Sequence, residues 1–194
     1  MSATLILGGA RSGKSRYAES LALRLAAERG LHPVYLATGQ AFDAEMRERI
    51  AHHRREREQA ATPWTTVEEP LALGAAIRAH RRPGHVVLVD CLTVWLTNLL
   101  FSGGEEFPEH GPIEAPARFA AERAAFLSSL DENAGEDAPL ILVGNEVGLG
   151  VVPMGAVNRW FVDESGRLNQ ETAKRCESAW WIAAGLGMPL KRPA

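Results

Sequence analysis

Cysteine is scarce in this sequence. Cys91 and Cys176 are the two present in 194 residues, and they stand far apart. They form no metal-ligand spacing, and such sparing use fits a reduced, cytosolic compartment. Long hydrophobic runs are also missing. A membrane span needs roughly 18–20 consecutive apolar residues. The longest candidate, Val86–Phe101, is interrupted by Asp90, Thr93, Thr97 and Asn98. The N-terminus lacks the basic, apolar and small-residue pattern of a signal peptide and passes from Met1 straight into Thr4-Leu-Ile-Leu7. These absences predict a protein that is neither secreted nor inserted in a bilayer. No excess of one charge exists either. Lys and Arg number 21, Asp and Glu 24, for a formal net charge of −3, so nothing favours nucleic acid as an electrostatic partner.

What the chain does have is enough apolar material for a core, at 46% of residues, in a length suited to one domain. No internal repeat or boundary divides it, so residues 1–194 are read as a single domain. Short apolar runs at Thr4–Gly8, Pro33–Thr38, His85–Asp90, Leu140–Gly144 and Ala179–Ala184 are continuous enough to be strands buried on both faces. Trp64–Val67 is a shorter candidate. Helical spacing marks Ser15–Gly30, with Gly30 as its stop, and also Asp43–Ala61, Leu92–Phe101 and Ala117–Leu130. Ser102–Pro116 and Asp131–Ala138 read as exposed loops. Strands alternating with helices predict an α/β fold, with a doubly wound, mostly parallel sheet and helices on both faces.

Chemistry enters at the first strand's end. Gly8-x-x-x-x-Gly13-Lys14-Ser15 is a complete Walker A pattern. Its glycines let the chain curl so that successive backbone N–H groups face a polyphosphate, and the helix that follows adds its positive end. Gly8, Gly9, Ala10, Arg11, Ser12, Gly13, Lys14 and Ser15 therefore form a predicted phosphate cradle. Lys14 reaches the β- and γ-phosphates, and the Ser15 hydroxyl is a Mg²⁺ ligand. A chance glycine-rich turn is the alternative, and the preceding strand and following helix weigh against it. A partner acid is expected at the end of another buried strand. Asp90, closing His85-Val-Val-Leu-Val-Asp90, fits as a second Mg²⁺ ligand. It also fits as the cap of the next helix. The guanine-reading Asn-Lys-x-Asp of small GTPases is absent.

The segment after the second strand is unusual. It places five arginines between Arg47 and Arg57 and holds the pair His52-His53. Glu48 and His52 are four apart, as are Glu45, Arg49 and His53, so each set shares a helix edge. One reading is a solvated face tied by ion pairs. The other is a phosphate-facing helix whose imidazole, with an ordinary pKa of about 6.5, attacks phosphorus while arginines neutralise departing pyrophosphate. The segment leaves the second strand at the edge that a parallel sheet shares with the Walker A loop.

Taken in order, Gly8-Gly-Ala-Arg-Ser-Gly-Lys-Ser15, Ala37-Thr-Gly-Gln40, Asp43-x-Glu-Met-x-x-Arg-Ile50 with His52-His53, Val89-Asp-Cys-Leu-Thr93, Thr97-Asn-Leu-Leu100, Asn145-Glu-Val-Gly-x-Gly-x-Val-Pro153 and Gly166-Arg-Leu-Asn-Gln170 resemble one family. It is the bifunctional adenosylcobinamide kinase / adenosylcobinamide-phosphate guanylyltransferase of cobalamin biosynthesis. The resemblance runs from Thr4 to about Lys191. It implies phosphorylation of adenosylcobinamide by ATP or GTP, then transfer of GMP from GTP through a histidine to adenosylcobinamide phosphate. It implies that His52, first of the pair, is the guanylylated residue. Its nucleotide contacts carry over to Gly8–Ser15, to Ala37, Thr38 and Gly39, to His53, Arg54, Arg55 and Glu56, and to Glu68 and Asp90. Gly39 departs from the serine or alanine common in the family. The resemblance also implies a homotrimer.

Several residues keep two readings. Glu69 competes with Glu68 for the nucleotide role. Glu146 either orients the acceptor hydroxyl or a Mg²⁺ water, or belongs to a glycine-rich turn before a helix starting at Pro153. Trp180 and Trp181 read as packing. Two other functions remain open from residues alone: a P-loop kinase with a different acceptor and no guanylylation, and a nucleotide-binding regulator without chemistry.

Overall fold

The apolar runs become strands of six residues, and their alternation explains how each is buried on two sides. The computed structural model describes residues 3–40, 63–104, 106–132 and 137–192. In chain order these form β1 (Ala3–Gly8), α1 (Lys14–Arg29), β2 (His32–Ala37), β3 (Thr65–Glu68), α2 (Leu73–His80), β4 (His85–Asp90), α3 (Leu92–Leu100), α4 (Ala117–Asp131), β5 (Leu140–Asn145), α5 (Ala156–Arg175), β6 (Ser178–Ala183) and β7 (Leu186–Lys191). The strands make one sheet in the order β3-β2-β4-β5-β1-β6-β7. Its pairings are parallel except β6 with β7.

Successive side chains of a strand point to opposite faces. On one face Ile6, Tyr35, Val86, Leu88, Ile141, Val143 and Ile182 pack beneath Ala18, Leu21, Ala22 and Leu25 of α1. On the other, Leu5, Leu7, Val34, Leu36, Val87, Val89, Leu140 and Leu142 pack with α2 to α5. Trp95 of α3 and Phe126 of α4, both fully buried, meet at 5.1 Å between ring centroids. The doubly wound α/β sheet expected from the alternating pattern is therefore present, with helices on both faces. Among the described residues no helix is long and apolar enough to cross a membrane.

The helix expected at Asp43–Ala61 lies outside the described residues; the other expected elements differ from the observed ones mostly by a residue at their ends. Two elements were not anticipated. Helix α2 has only eight residues, too few for a strong periodic signal. Its start is fixed by Glu69, whose Oε1 accepts the N–H groups of Leu71 (2.9 Å) and Ala72 (2.7 Å). Strand β7 follows a two-residue turn at Ala184 and Gly185, both with positive φ (52° and 77°), the backbone that a tight hairpin requires. A third difference concerns Pro153. Helix α5 begins at Ala156, not there, and the Arg159 guanidinium donates to the carbonyls of Pro153 and Met154 ahead of it.

Helices α2 and α4 approach where Gly74 faces α4. A Cβ at Gly74 would sit 2.6 Å from the backbone of Ala125. Alanine gains about 0.5–1 kcal/mol of helix propensity over glycine, while overpacking against backbone costs about 1–3 kcal/mol. The clash wins. Gly74→Ala is expected to lower the urea midpoint of unfolding by a net destabilisation of about 1–2 kcal/mol, measured by circular dichroism.

Candidate active site

The parallel register brings the ends of β1, β2, β3, β4 and β5 to one edge. Ala37 lies between Glu68 and Asp90 in adjacent strands. Asp90 is opposite Val143 of β5, which is opposite Ile6 of β1. Two strand spacings, about 10 Å, thus separate Asp90 from the strand that leads into the Gly8–Ser15 loop. Alternation puts Ala37, Glu68 and Asp90 on the face covered by α1, the face on which Ser15 begins that helix. The Asp90 carboxylate accepts the Tyr35 hydroxyl at 3.0 Å, and the Tyr35 ring is in turn held edge-on by Trp64.

The Gly8–Ser15 loop takes its shape from its neighbours. Gly13 caps α1 with φ 92°, a conformation that costs glycine little. Arg11 also has positive φ, at 56°, and stands exposed with Ala10 on the crest of the loop. A Cβ at Gly8 would lie 2.5 Å from the Ile182 carbonyl oxygen, so the loop begins where no side chain fits. The Gly185 N–H donates to the Ser12 carbonyl at 2.8 Å, and the Gly185 Cα is 3.0 Å from where a Gly13 Cβ would stand. The β6–β7 turn therefore supports the loop from below. Lys14 is 9% exposed, and its Nζ donates to the Gly9 carbonyl at 3.2 Å. No acidic residue occupies the first turn of α1, leaving the positive end of the helix dipole unopposed by its own side chains.

Behind this edge runs a polar brace that the sequence did not reveal. The Thr38 hydroxyl donates to the Cys91 carbonyl and accepts the Cys91 N–H, each at 2.8 Å. Asn98 Nδ2 donates to the carbonyls of Thr38 (2.7 Å) and Pro70 (3.1 Å). Thr93 Oγ1 accepts the Asn145 N–H at 2.7 Å, and Asn169 Nδ2 donates to the Asn145 carbonyl at 3.3 Å. The Glu146 N–H bonds the Gly8 carbonyl at 3.1 Å. Thr93, Asn98, Asn145 and Asn169 all stand in segments quoted above, but no spacing rule marks them as braces. The brace also separates two acids left open earlier. Glu69 is engaged at the start of α2, whereas Glu68 stays at the strand edge beside Ala37. Glu146 Oε1 accepts the Gly148 N–H at 2.7 Å. Trp180 packs against Tyr17 of α1, and Trp181 against the opposite core. His52, His53, Arg54, Arg55 and Glu56 lie outside the described residues.

A strand, a glycine loop with its lysine held over it, a helix on which Ser15 is the second residue, and an acid two strands away define a P-loop nucleotide-binding protein. A family model described as cobinamide kinase / cobinamide phosphate guanyltransferase matches residues 4–190. The chain belongs to that family and is an enzyme with nucleotide and cobinamide substrates. It is 52% identical over 187 residues to the bifunctional adenosylcobalamin biosynthesis protein CobP of Pseudomonas aeruginosa, covering 96% of both chains. It is 39% identical over 189 residues to the bifunctional adenosylcobalamin biosynthesis protein CobU of Escherichia coli, covering 96% of this chain and 98% of the relative.

Both cysteines are buried free thiols. Burial, reinforced by the nearby Asp90 charge, pushes Cys91 up to about 11. Burial pushes Cys176 up to about 12. The folded chain therefore retains two protons that the unfolded chain releases near the ordinary thiol value of 9.0. Their contribution to stability is complete below about pH 9 and declines as pH rises toward the folded values. The expected result is no reaction of native protein with Ellman's reagent at about pH 8, full reaction in guanidinium, and a urea midpoint that falls between about pH 8.5 and 10.5. Replacing both thiols by alanine should flatten that fall.

Proposed function

We propose that this chain, acting as a single domain with one nucleotide site, phosphorylates adenosylcobinamide and then guanylylates the product through His52. The observation that carries the reading is the alignment of the Gly8–Ser15 loop with Ala37, Glu68 and Asp90 on the α1 side of one sheet edge. Gly8 to Ser15, Ala37, Thr38, Gly39, Glu68, Asp90 and the residues His53 to Glu56 form the proposed nucleotide site. The Thr38 hydroxyl is engaged with Cys91, its N–H with the Asp90 carbonyl and its carbonyl with Asn98, so its part in the proposed site is to hold the end of β2 in place.

In the kinase step the aminopropanol hydroxyl of adenosylcobinamide attacks the γ-phosphorus. The bond from that phosphorus to the β–γ bridging oxygen breaks, and the nucleoside diphosphate leaves. The loop amides hold the phosphates, and Lys14 balances charge that grows on the bridging oxygen. In the guanylyl step a His52 nitrogen attacks the α-phosphorus of GTP, forming a P–N bond as pyrophosphate leaves. A phosphate oxygen of adenosylcobinamide phosphate then attacks the same phosphorus, the P–N bond breaks, and adenosylcobinamide-GDP is released.

Ser15 and Asp90 are the proposed Mg²⁺ ligands. Among the described residues no cluster of three His, Cys, Asp or Glu side chains is present to hold a metal alone. A hydroxyl and a carboxylate suit a hard cation that takes most of its coordination from phosphate and water. Bound there, the cation would neutralise phosphate charge. A homotrimer is part of the proposal, as the family resemblance implies. So is a cytoplasmic setting, which the two buried free thiols fit.

The test is intact-protein mass spectrometry after incubation with GTP and Mg²⁺. Wild-type protein is expected to gain one GMP, labile in acid and stable in alkali, while His52→Ala gains none and ATP gives none. Full guanylyltransferase turnover by His52→Ala would remove His52 as nucleophile. Lys14→Ala is expected to lower kcat/KM of the kinase step by about 10²–10³-fold, the order seen when a single transition-state donor is lost, with the folded circular dichroism spectrum retained.

A further inference from the structure

The loop that follows Glu146 carries apolar side chains where water should be expected to exclude them. Leu149 is 78% exposed, Val151 98%, Val152 67% and Met154 90%. Phe101, at the end of α3, is 48% exposed. Contiguous exposed apolar residues of this kind mark a ligand or partner site. The loop is joined directly to the nucleotide edge, because the Glu146 N–H is bonded to the Gly8 carbonyl.

The next element leads from the same edge to a cavity. Asn169, thirteen residues into α5, is the one bonded to the end of β5. The first two thirds of α5, about 20 Å of helix, therefore run from the strand-end crevice to the C-terminal end of α3. There a cavity of about 190 Å³ is lined by Thr97, Leu100, Phe101, Val157, Asn158 and Phe161. Its wall is apolar apart from one hydroxyl and one carboxamide. The Thr97 hydroxyl donates to the Thr93 carbonyl and keeps lone pairs for a donor; Asn158 offers both a donor and an acceptor.

We propose that this surface is the acceptor subsite. It takes a broad, largely apolar macrocycle rimmed by primary amide arms, which is the chemistry of a corrinoid. The macrocycle lies on Leu149, Val151, Val152, Met154 and Phe101. One amide arm enters the α3–α5 cavity between Thr97 and Asn158, since the cavity is far too small for the ring itself. The flexible aminopropanol arm then extends past Glu146 to the Gly8–Ser15 loop, where its hydroxyl meets the γ-phosphate. Three features favour this occupant over a second copy of the chain. The surface is continuous with the phosphate loop, the acceptor must reach that loop, and the cavity pairs an apolar wall with groups that suit an amide. The inference rests on the proposed function above.

The experiment measures cobinamide binding by equilibrium dialysis, and steady-state KM values for cobinamide and for nucleotide, on full-length protein. Val151→Asp is expected to raise the Kd and KM for cobinamide by about tenfold or more, as burying an unpaired charge against an apolar ligand should. Asn158→Ala is expected to raise them by about threefold or more, for one lost amide contact. KM for nucleotide should track wild type. The control is Leu190→Asp, on an exposed apolar position of β7 away from this loop (56% exposed), which should leave cobinamide binding unaltered. Wild-type affinity in Val151→Asp would overturn the proposal, as would an equal loss in Leu190→Asp. A loss in Val151→Asp accompanied by a smaller sedimenting mass would assign the loop to contact between copies and overturn it too. Wild-type protein that neither binds nor phosphorylates cobinamide would overturn the functional reading itself, before any variant is compared.

Discussion

The parallel pairing of β1 with β5, carried on through β4 to β2 and β3, is the constraint on which the site depends. Parallel strands end together, so the turns that follow them converge on one crevice. The register does more than gather them. Because Ala37 falls beside both Glu68 and Asp90, the alternation that buries Tyr35 and Leu88 beneath α1 also turns the two acids to the α1 side. A slip of one residue in β4 would send Asp90 to the opposite face and bring Val89 to the crevice. The apolar core thus sets the aim of this edge.

The polar brace has a second role that follows from its burial. Thr38, Thr93, Asn98 and Asn169 are each less than 10% exposed, and buried polar groups stabilise only when they are paired. Each bond ties one strand-end turn to another: Thr38 to Cys91, Asn98 to Thr38 and Pro70, Thr93 to Asn145. None of these is a bond to the phosphate loop. That loop is secured separately, by Glu146 at Gly8 and by Gly185 at Ser12. Within the loop the Ser12 N–H bonds the Gly9 carbonyl at 3.3 Å, so main-chain bonds fix it both internally and to its neighbours. In the proposed function, phosphate would be met by the remaining main-chain donors and by Lys14, with the brace kept behind them.

Much of this was legible in the residues. The strand runs, the Gly8–Ser15 loop and Asp90 are strong local signals, because a buried parallel strand tolerates little besides aliphatic side chains and the phosphate loop tolerates little besides glycine at its bends. The helix at Leu73–His80 was missed because eight residues give barely two turns. Strand β7 was missed because Leu186, Met188 and Leu190 face outward on an edge strand, the reverse of the pattern that marks a core strand. The braces were missed for a different reason. Thr93 and Asn98 act across |i−j| of 52 and 60, and no local periodicity carries a partner so distant. Glu68 and Glu69 could not be separated by sequence at all; Glu68 ends β3, whereas Glu69 lies past it and accepts the N–H groups at the start of α2.

The arrangement also suits the proposal that one nucleotide site serves displacement at two different phosphorus atoms. Backbone amides of a P-loop cradle the α- and β-phosphates, and its lysine reaches the β- and γ-phosphates. The β-phosphate is held in both reactions, and it is on the leaving side in both: it departs within the diphosphate in the kinase step and within pyrophosphate in the guanylyl step. In the proposed reactions Lys14, held over Gly9, would balance the charge that accumulates on either bridging oxygen. The two chemistries then differ only in which nucleophile arrives and from which end of the triphosphate. The proposed nucleophile, His52, belongs by sequence to the stretch between β2 and β3. In the proposed acceptor subsite the hydroxyl comes from the β5 side, past Glu146. The order of strands in the sheet sets the ends of β2 and β5 on opposite sides of β4.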